Sequence, residues 1–356
     1  MKIVFVLGNL ELGGAERQAL ILASYLREQA EVEILGFNRS GPVADICKQH
    51  RIPSRVVALQ QPSDLRNFAR LLRQQRPDIL LPYTLIPNVI CGLLWQRTGA
   101  RLCVWNQRDE GIFDINAKWQ QRAAQQTPQF IANSHAGARY LIEKLNVDPE
   151  KIRVIPNGIE LAPPQSDRRT WRARLEIDDT TFVACMIANL HANKDHATLL
   201  KAWRLITGEQ RAVLVLAGRH YGAYESLVEL TNELGIANNV RFTGYVSDVS
   251  GLLSAADLGV FSSRSEGCPN GVLECMAAGL AVAATDVEGI REVLGDKRFL
   301  APPNDADRLA QIILELAADP ELRTTVGAAN QKRIKARYNA QRMCEDTANL
   351  IHRLHR

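Results

Sequence analysis

Between Asp257 and Thr285 the chain reads as a strand (LGVF), a loop (SSRSEGCPN), a helix (GVLECMAAG) and a second strand (AVAAT). The chemistry of this stretch lies in the turn into the helix. Gly267 and Gly271 carry no side chain, so they let backbone approach a ligand closely. A helix that opens near Asn270 presents the N–H groups of Asn270, Gly271 and Val272 without intrahelical acceptors, and its dipole favours an anion there. That is the make-up of a phosphate seat. Glu266 stands in the loop just before the seat and Glu274 about one turn into the helix, so the two carboxylates are expected to flank a bound phosphate. Carboxylates accept hydrogen bonds from sugar hydroxyls. A nucleotide sugar has a hexose on one side of its diphosphate and a ribose on the other, and two acceptors around an anion seat match that order of parts. Taken alone, the two glutamates read more simply as a solvated loop acid and a helix-surface charge. Their surroundings change that.

The run SRSEGCPNGVLECMAAG, Ser263 to Gly279, closely resembles the E-x7-E signature of the retaining glycosyltransferases with the GT-B fold, specifically glycosyltransferase family 4. Further stretches resemble that family along most of the chain. Gly8 to Glu16 (GNLELGGAE) follows the first strand and opens a helix, resembling the family's Gly-Gly-x-Glu loop. Physically, Gly13 and Gly14 could offer N–H groups at a second helix start; the spacing fits neither a dinucleotide fingerprint nor a Walker loop. Asn133-Ser134 and Val154 to Ile159 resemble strand ends of the family and serve as fold markers. Ile187 to His196 (IANLHANKDH) resembles the family's G-R-L-x-x-x-K-G segment, with Lys194 on the lysine and Asn189 where an arginine is usual. A fixed ammonium beside a helix start can stabilise the charge left on a departing diphosphate. His191 and Arg219 are the weak candidates to replace the missing cation.

After the fifth strand comes WNQRDEG, where many members of the family place a histidine or aspartate; here Gln107, Arg108 and Asp109 occupy it. Arg108 could bind an acceptor phosphate or the departing diphosphate, and Asp109 and Glu110 are conceivable bases, with His135 remoter. The donor base is expected to stack on backbone near Tyr245-Val246. Asp305-Ala306-Asp307 is literally D-x-D, the metal-holding pattern of other glycosyltransferases, but it precedes a helical pattern and reads as a capped, dipole-favourable start. No metal and no cofactor are expected.

These residues need strands to carry them. Short Val, Ile and Leu runs alternate with stretches of helical period, the signature of parallel sheets covered on both faces. The series runs from Ile3–Leu7 to Arg153–Ile155, then restarts at Phe182–Ile187 and ends at Phe299–Ala301. The two-proline stretch Glu160 to Arg169 (ELAPPQSDRR) reads as the linker. We expect an α/β chain of the GT-B type: two Rossmann-like doubly wound parallel-sheet domains facing a central cleft. Residues 1–160 would form the acceptor-side domain and 170–338 the nucleotide-sugar domain, with a last helix, about 340–356, packing back on the first.

Composition narrows the class. With 356 residues, 46% hydrophobic and 23% charged, the chain is globular and long enough for two cores, not disordered or fibrous. A net charge of +4 is too small for a dedicated nucleic-acid binder. The basic excess lies early: residues 1–164 hold 20 basic and 15 acidic side chains. Within 48–76, Lys48 and six arginines face Asp64 alone. Asp64 to Arg76 reads as a helix with Arg66, Arg70 and Arg73 on one side and Leu65, Phe68 and Leu72 near another, a surface suited to anionic lipid headgroups. The seven cysteines include no C-x-x-C pair and read as buried thiols of a reducing cytoplasm. Met1 to Leu7 is too short an apolar run for a signal peptide, and Ile79 to Gln96, though uncharged, is broken by Pro82 and Pro87, so strand, loop and short helix are expected there.

The resemblance implies a retaining, metal-independent hexosyltransferase acting on a nucleotide-diphosphate sugar and a glycan or lipid-linked glycan acceptor, in cell-surface polysaccharide or lipopolysaccharide synthesis. It implies a cytoplasmic enzyme, with an anionic membrane surface as a further partner at the inner face of the plasma membrane. Glu266 would hold the donor sugar, Glu274 the ribose, and Lys194 with the amides of Asn270, Gly271 and Val272 the diphosphate, while Gly13-Gly14 complete the phosphate pocket. Two alternatives share the architecture: a nucleotide-sugar 2-epimerase, and a non-catalytic nucleotide-sugar-binding subunit, which Asn189 keeps open.

Overall fold

A computed structural model describes residues 1–111, 116–208 and 211–355. The chain forms two compact units, one of Met1–Gly158 with Ala340–Arg356 and the other of Ile159–Asn339.

The first unit alternates strands and helices: β1 (Lys2–Leu7), α1 (Gly14–Leu26), β2 (Glu31–Phe37), α2 (Pro42–Gln49), β3 (Ser54–Val57), α3 (Pro62–Gln75), β4 (Ile79–Pro82), α4 (Leu85–Leu94), β5 (Leu102–Gln107), α5 (Ala117–Gln126), β6 (Gln129–Ala132), α6 (His135–Leu145) and β7 (Ile152–Val154). All pairings are parallel, in the order β3-β2-β1-β4-β5-β6-β7. The strands read as unbroken apolar runs because both faces of a parallel sheet are covered. The order reverses between β1 and β4, so the carboxyl ends of these two strands border the crevice where such sheets take ligands.

In the second unit, α7 (Arg168–Arg174) leads into β8 (Phe182–Ile187), α8 (His196–Thr207), β9 (Ala212–Ala217), α9 (Tyr224–Glu233), β10 (Val240–Gly244), α10 (Val249–Ala255), β11 (Leu258–Phe261), α11 (Asn270–Ala277), β12 (Val282–Thr285), α12 (Glu288–Leu294), β13 (Leu300–Ala301), α13 (Ala306–Ala318) and α14 (Pro320–Arg337). The order is β10-β9-β8-β11-β12-β13, again parallel throughout, with its reversal between β8 and β11. The Arg172 guanidinium, although 1% exposed, is satisfied by Asp257 and by the carbonyls of Ala255, Asp178 and Thr181, which ties α7 to the sheet.

The stretch expected to be a linker lies inside the second unit. The amides of Gln165 and Ser166 donate to the Asp248 carboxylate, and Asp167 caps α7. The last helix, α15 (Ala340–His355), belongs to the first unit, where Cys344, Ala348 and Ile351 join the core of β1 and α1. One local expectation needs correcting, and the reading of the apolar stretch from Ile79 as strand, loop and short helix holds. Leu65 is not on the packed side of α3: Phe68 and Leu72 are buried, but Leu65 is exposed, because the helix turns it toward the solvent arc. The apolar stretch from Ile79 is β4, a turn and α4, and among the described residues no helix is long and apolar enough to cross a membrane.

Candidate functional site

Glu266 and Lys194 come from opposite sides of the reversal in the second sheet. Lys194 ends a short 3-10 turn, Ala192–Lys194, that follows β8; Glu266 lies in the loop between β11 and α11. Their side chains meet, Lys194 Nζ lying 2.6 Å from Glu266 Oε1, and the Ser263 hydroxyl donates to the same oxygen at 2.6 Å. Glu266 is 7% exposed, so a carboxylate there needs such partners.

The two segments are fastened along their length. Arg264 N–H donates to the Asn193 carbonyl, and the Asn193 side-chain amide donates to the Ser265 carbonyl. The Arg264 guanidinium pairs with Asp195, whose carboxylate also accepts from Thr198. Ser262 donates to the Lys194 and Asp195 carbonyls, and Thr285 donates to the Ser263 carbonyl. Asp195 takes a left-handed backbone, φ 48°, which turns the chain from the lysine into α8. Behind this sits His196, 2% exposed. Burial first, then the Lys194 charge, push its pKa down to about 4 against the opposing effects of Asp195 and of its bond to the Ala188 carbonyl, so it is neutral at pH 7.

α11 begins at Asn270, so Asn270, Gly271 and Val272 supply the first helical amides as expected. Glycine at 271 also has a packing reason. A Cβ there would lie 2.1 Å from the Ile187 carbonyl oxygen, so the packing of the helix start on the end of β8 by itself requires glycine. At Gly289 a Cβ would meet the Glu266 and Gly267 carbonyls at 2.0 and 2.1 Å, so α12 presses on the loop that carries the acid. Glu274 is buried, 2% exposed; burial and, next, its charge push the Cys185 thiol on β8 up to about 12.

The other candidates are placed as follows. The Asn189 Oδ1 accepts the Arg219 N–H, and the Arg219 guanidinium lies over the Tyr245 ring, 5.1 Å from its centroid. His191 Nδ1 accepts the Asn193 N–H. Val246 is half-buried just after β10. In the first unit Gly13 caps α1, and the Glu16 carboxylate, its pKa raised by burial, accepts the backbone N–H groups of Gly13 and Glu16. A phosphate at Gly13 would have to displace that carboxylate. Arg108 is half-buried at the end of β5, over the Tyr83 ring at 4.6 Å and donating to Asn157 Oδ1 at 3.2 Å. Asp109 is bound locally by Gln107 and the Gly111 amide. Asp305 caps α13 by accepting the Arg308 N–H.

Sequence reasoning missed Ser263, Asn193, Asp195, His196 and Arg264 as a unit. Ser263 had a local signal, its i, i+3 spacing to Glu266; the Asp195–Arg264 pair spans 69 positions and had none.

Two parallel-sheet α/β units of this topology, one bringing an acid, an ammonium and a helix start to its switch point, have the GT-B architecture. Residues 12–163 match the family model described as Glycosyltransferase Family 4, and residues 167–333 that of Glycosyl transferases group 1. Each match covers one part of the chain, the group 1 glycosyl transferase model the later part and the Family 4 model the earlier.

Among curated relatives, EpsD of Bacillus subtilis (strain 168) is 31% identical over 218 residues, 60% of this chain and 54% of that protein. D-inositol 3-phosphate glycosyltransferase of Streptomyces scabiei is 29% identical over 56% of this chain and 48% of its own length. The chain thus spans about half the length of these relatives. The UDP-Gal:alpha-D-GlcNAc-diphosphoundecaprenol alpha-1,3-galactosyltransferase of Escherichia coli is 23% identical over 87% of this chain and 86% of its own. Among solved structures, Anabaena HepE in complex with UDP-glucose superposes with a TM-score of 0.88 at 22% identity, covering 99% of both chains.

Proposed function

We propose that this chain is a retaining, metal-independent glycosyltransferase. It moves a hexosyl unit from a nucleotide-diphosphate sugar to a glycan or lipid-linked glycan, in the synthesis of a cell-surface polysaccharide or lipopolysaccharide. The observation that carries this is the convergence of Lys194 and Ser263 on one oxygen of Glu266, beside the start of α11. An acid held this rigidly is placed to accept from donor-sugar hydroxyls, the neighbouring ammonium to take up charge as the diphosphate departs, and the Gly271 and Val272 amides to bind that diphosphate. Glu274, on the next turn, would take the ribose. Retention without a protein nucleophile follows if the leaving phosphate receives the acceptor's proton on the face it departs from.

Support for the donor class comes from the HepE complex with UDP-glucose, and for the acceptor class from the lipid diphosphate in the name of the Escherichia coli relative. A peripheral place at the inner face of the plasma membrane rests on the exposed Arg66, Arg70 and Arg73 of α3.

The test is incubation of the purified chain with UDP-, GDP-, ADP- and TDP-hexoses, with acceptor and with or without excess EDTA. Acceptor-dependent nucleotide release that survives EDTA is expected. Epimer without release would assign the 2-epimerase, binding without turnover the non-catalytic subunit, and loss in EDTA would contradict metal independence.

A further inference from the structure

We propose that the carboxyl edge of the first unit's sheet binds a phosphoryl group of the acceptor, with Arg108 as its charge partner. The proposal rests on the transferase reading and adds the acceptor's chemical class to it.

The guanidinium of Arg108 is fixed but not neutralised. It lies against the fully buried Tyr83, 4.6 Å from the ring centroid, and spends one Nη1 hydrogen on Asn157, and it makes no ion pair among the described residues. Its Nε is buried without a hydrogen-bond partner there. Burying an uncompensated cation is costly, and a planar fork suits two oxygens of a phosphate.

The surroundings fit an ester of a sugar better than a bare anion. Asn133 sends its side-chain N–H to the Arg108 carbonyl, and Asn106 sends its own to Pro82 and Val104. The Oδ1 atoms of both are buried and unpartnered among the described residues, leaving two unused acceptors at this strand end. Next to Tyr83, Thr84 is held at φ 70° and ψ 171°, a region almost reserved for glycine. Its hydroxyl lies beside Gly8 at the end of β1, 3.5 Å from where a Cβ would stand. A phosphoryl group has three oxygens, enough for the arginine and one further donor such as this hydroxyl; a carboxylate is used up by the fork.

The test is calorimetric binding of glucose 1-phosphate to the whole chain in saturating UDP, so that the donor's phosphate sites are filled. Wild type should bind it saturably. Arg108→Gln should lose about tenfold or more in affinity, Arg108→Lys less, and UDP affinity should stay within about twofold in both. Absence of saturable binding by wild type would overturn the proposal without any variant, as would equal affinity in wild type and Arg108→Gln. A fall in UDP affinity in Arg108→Gln would assign the arginine to the departing diphosphate instead, and glucuronate binding as tightly would overturn the phosphoryl assignment. Failure of every nucleotide to bind would count against the transferase reading and leave the Arg108 comparison readable.

Discussion

Lys194 and Glu266 form one ion pair, 2.6 Å apart, where the sequence suggested two separate roles, an ammonium for the diphosphate and a carboxylate for the sugar. The lysine's charge is spent on the acid, and a diphosphate bound there would have to share it. Glu266→Gln removes both the competition and a repulsive charge. We expect UDP to bind that variant about three- to tenfold more tightly, roughly the worth of one partly exposed ionic contact, while kcat falls on the order of a hundredfold. Calorimetry and steady-state kinetics check the two halves; weaker UDP binding in Glu266→Gln would mean that the acid does not restrain the lysine.

Glu274 lies on the first turns of α11 and is almost fully buried, an arrangement suited to one hydrogen-bonded hydroxyl. Glu274→Gln should raise the donor KM on the order of tenfold with kcat changed much less, the pattern of a lost ground-state contact. An unchanged donor KM would remove the ribose assignment.

His196 ties the site to stability. Its folded pKa, about 4, lies below the ordinary histidine value, so between those pH values the unfolded chain binds the extra proton. Stability is therefore full above about pH 6.5 and declines as pH falls toward 4, by up to about 3 kcal/mol. Urea melts at pH 7 and pH 4.5 should show this loss in wild type, and His196→Gln should flatten it. A loss of equal size in the variant would place the proton elsewhere.

Arg66, Arg70 and Arg73 project from α3 into solvent, and the exposed Leu65 and Val56 lie close by in sequence. Vesicle flotation should recover the wild-type chain with phosphatidylglycerol-containing vesicles and not with phosphatidylcholine alone, and the triple Arg→Gln variant with neither, because each cation near an anionic surface contributes about 1 kcal/mol. Equal recovery on both vesicles would remove the membrane from the account.

How legible was all this in the sequence? Continuous apolar strands such as FVACMI (β8) and LGVF (β11) announce a parallel sheet, since period and length alone identify them, and the residues after their ends are where ligands bind in such sheets. Hence Lys194, Glu266 and the α11 start could be picked out as candidates. What stayed hidden depends on the sequence separation of contacting residues. Nothing local says that Arg264 reaches Asp195, that Gly271 must clear the Ile187 carbonyl, or that Glu16 covers the Gly13 amide. The position of the linker was misread for the same reason: ELAPPQSDRR has the composition of a loose connector, yet Asp248, about eighty positions later, holds its backbone.

A crystal structure of the chain with UDP, or with whichever nucleoside diphosphate most raises its melting temperature, tests the central claim most directly. The account predicts the two phosphates on the Gly271 and Val272 amides, the ribose against Glu274, and Lys194 turned from Glu266 toward the terminal phosphate. A nucleotide bound elsewhere, with the Lys194–Glu266 pair intact and the α11 start bare, would contradict it.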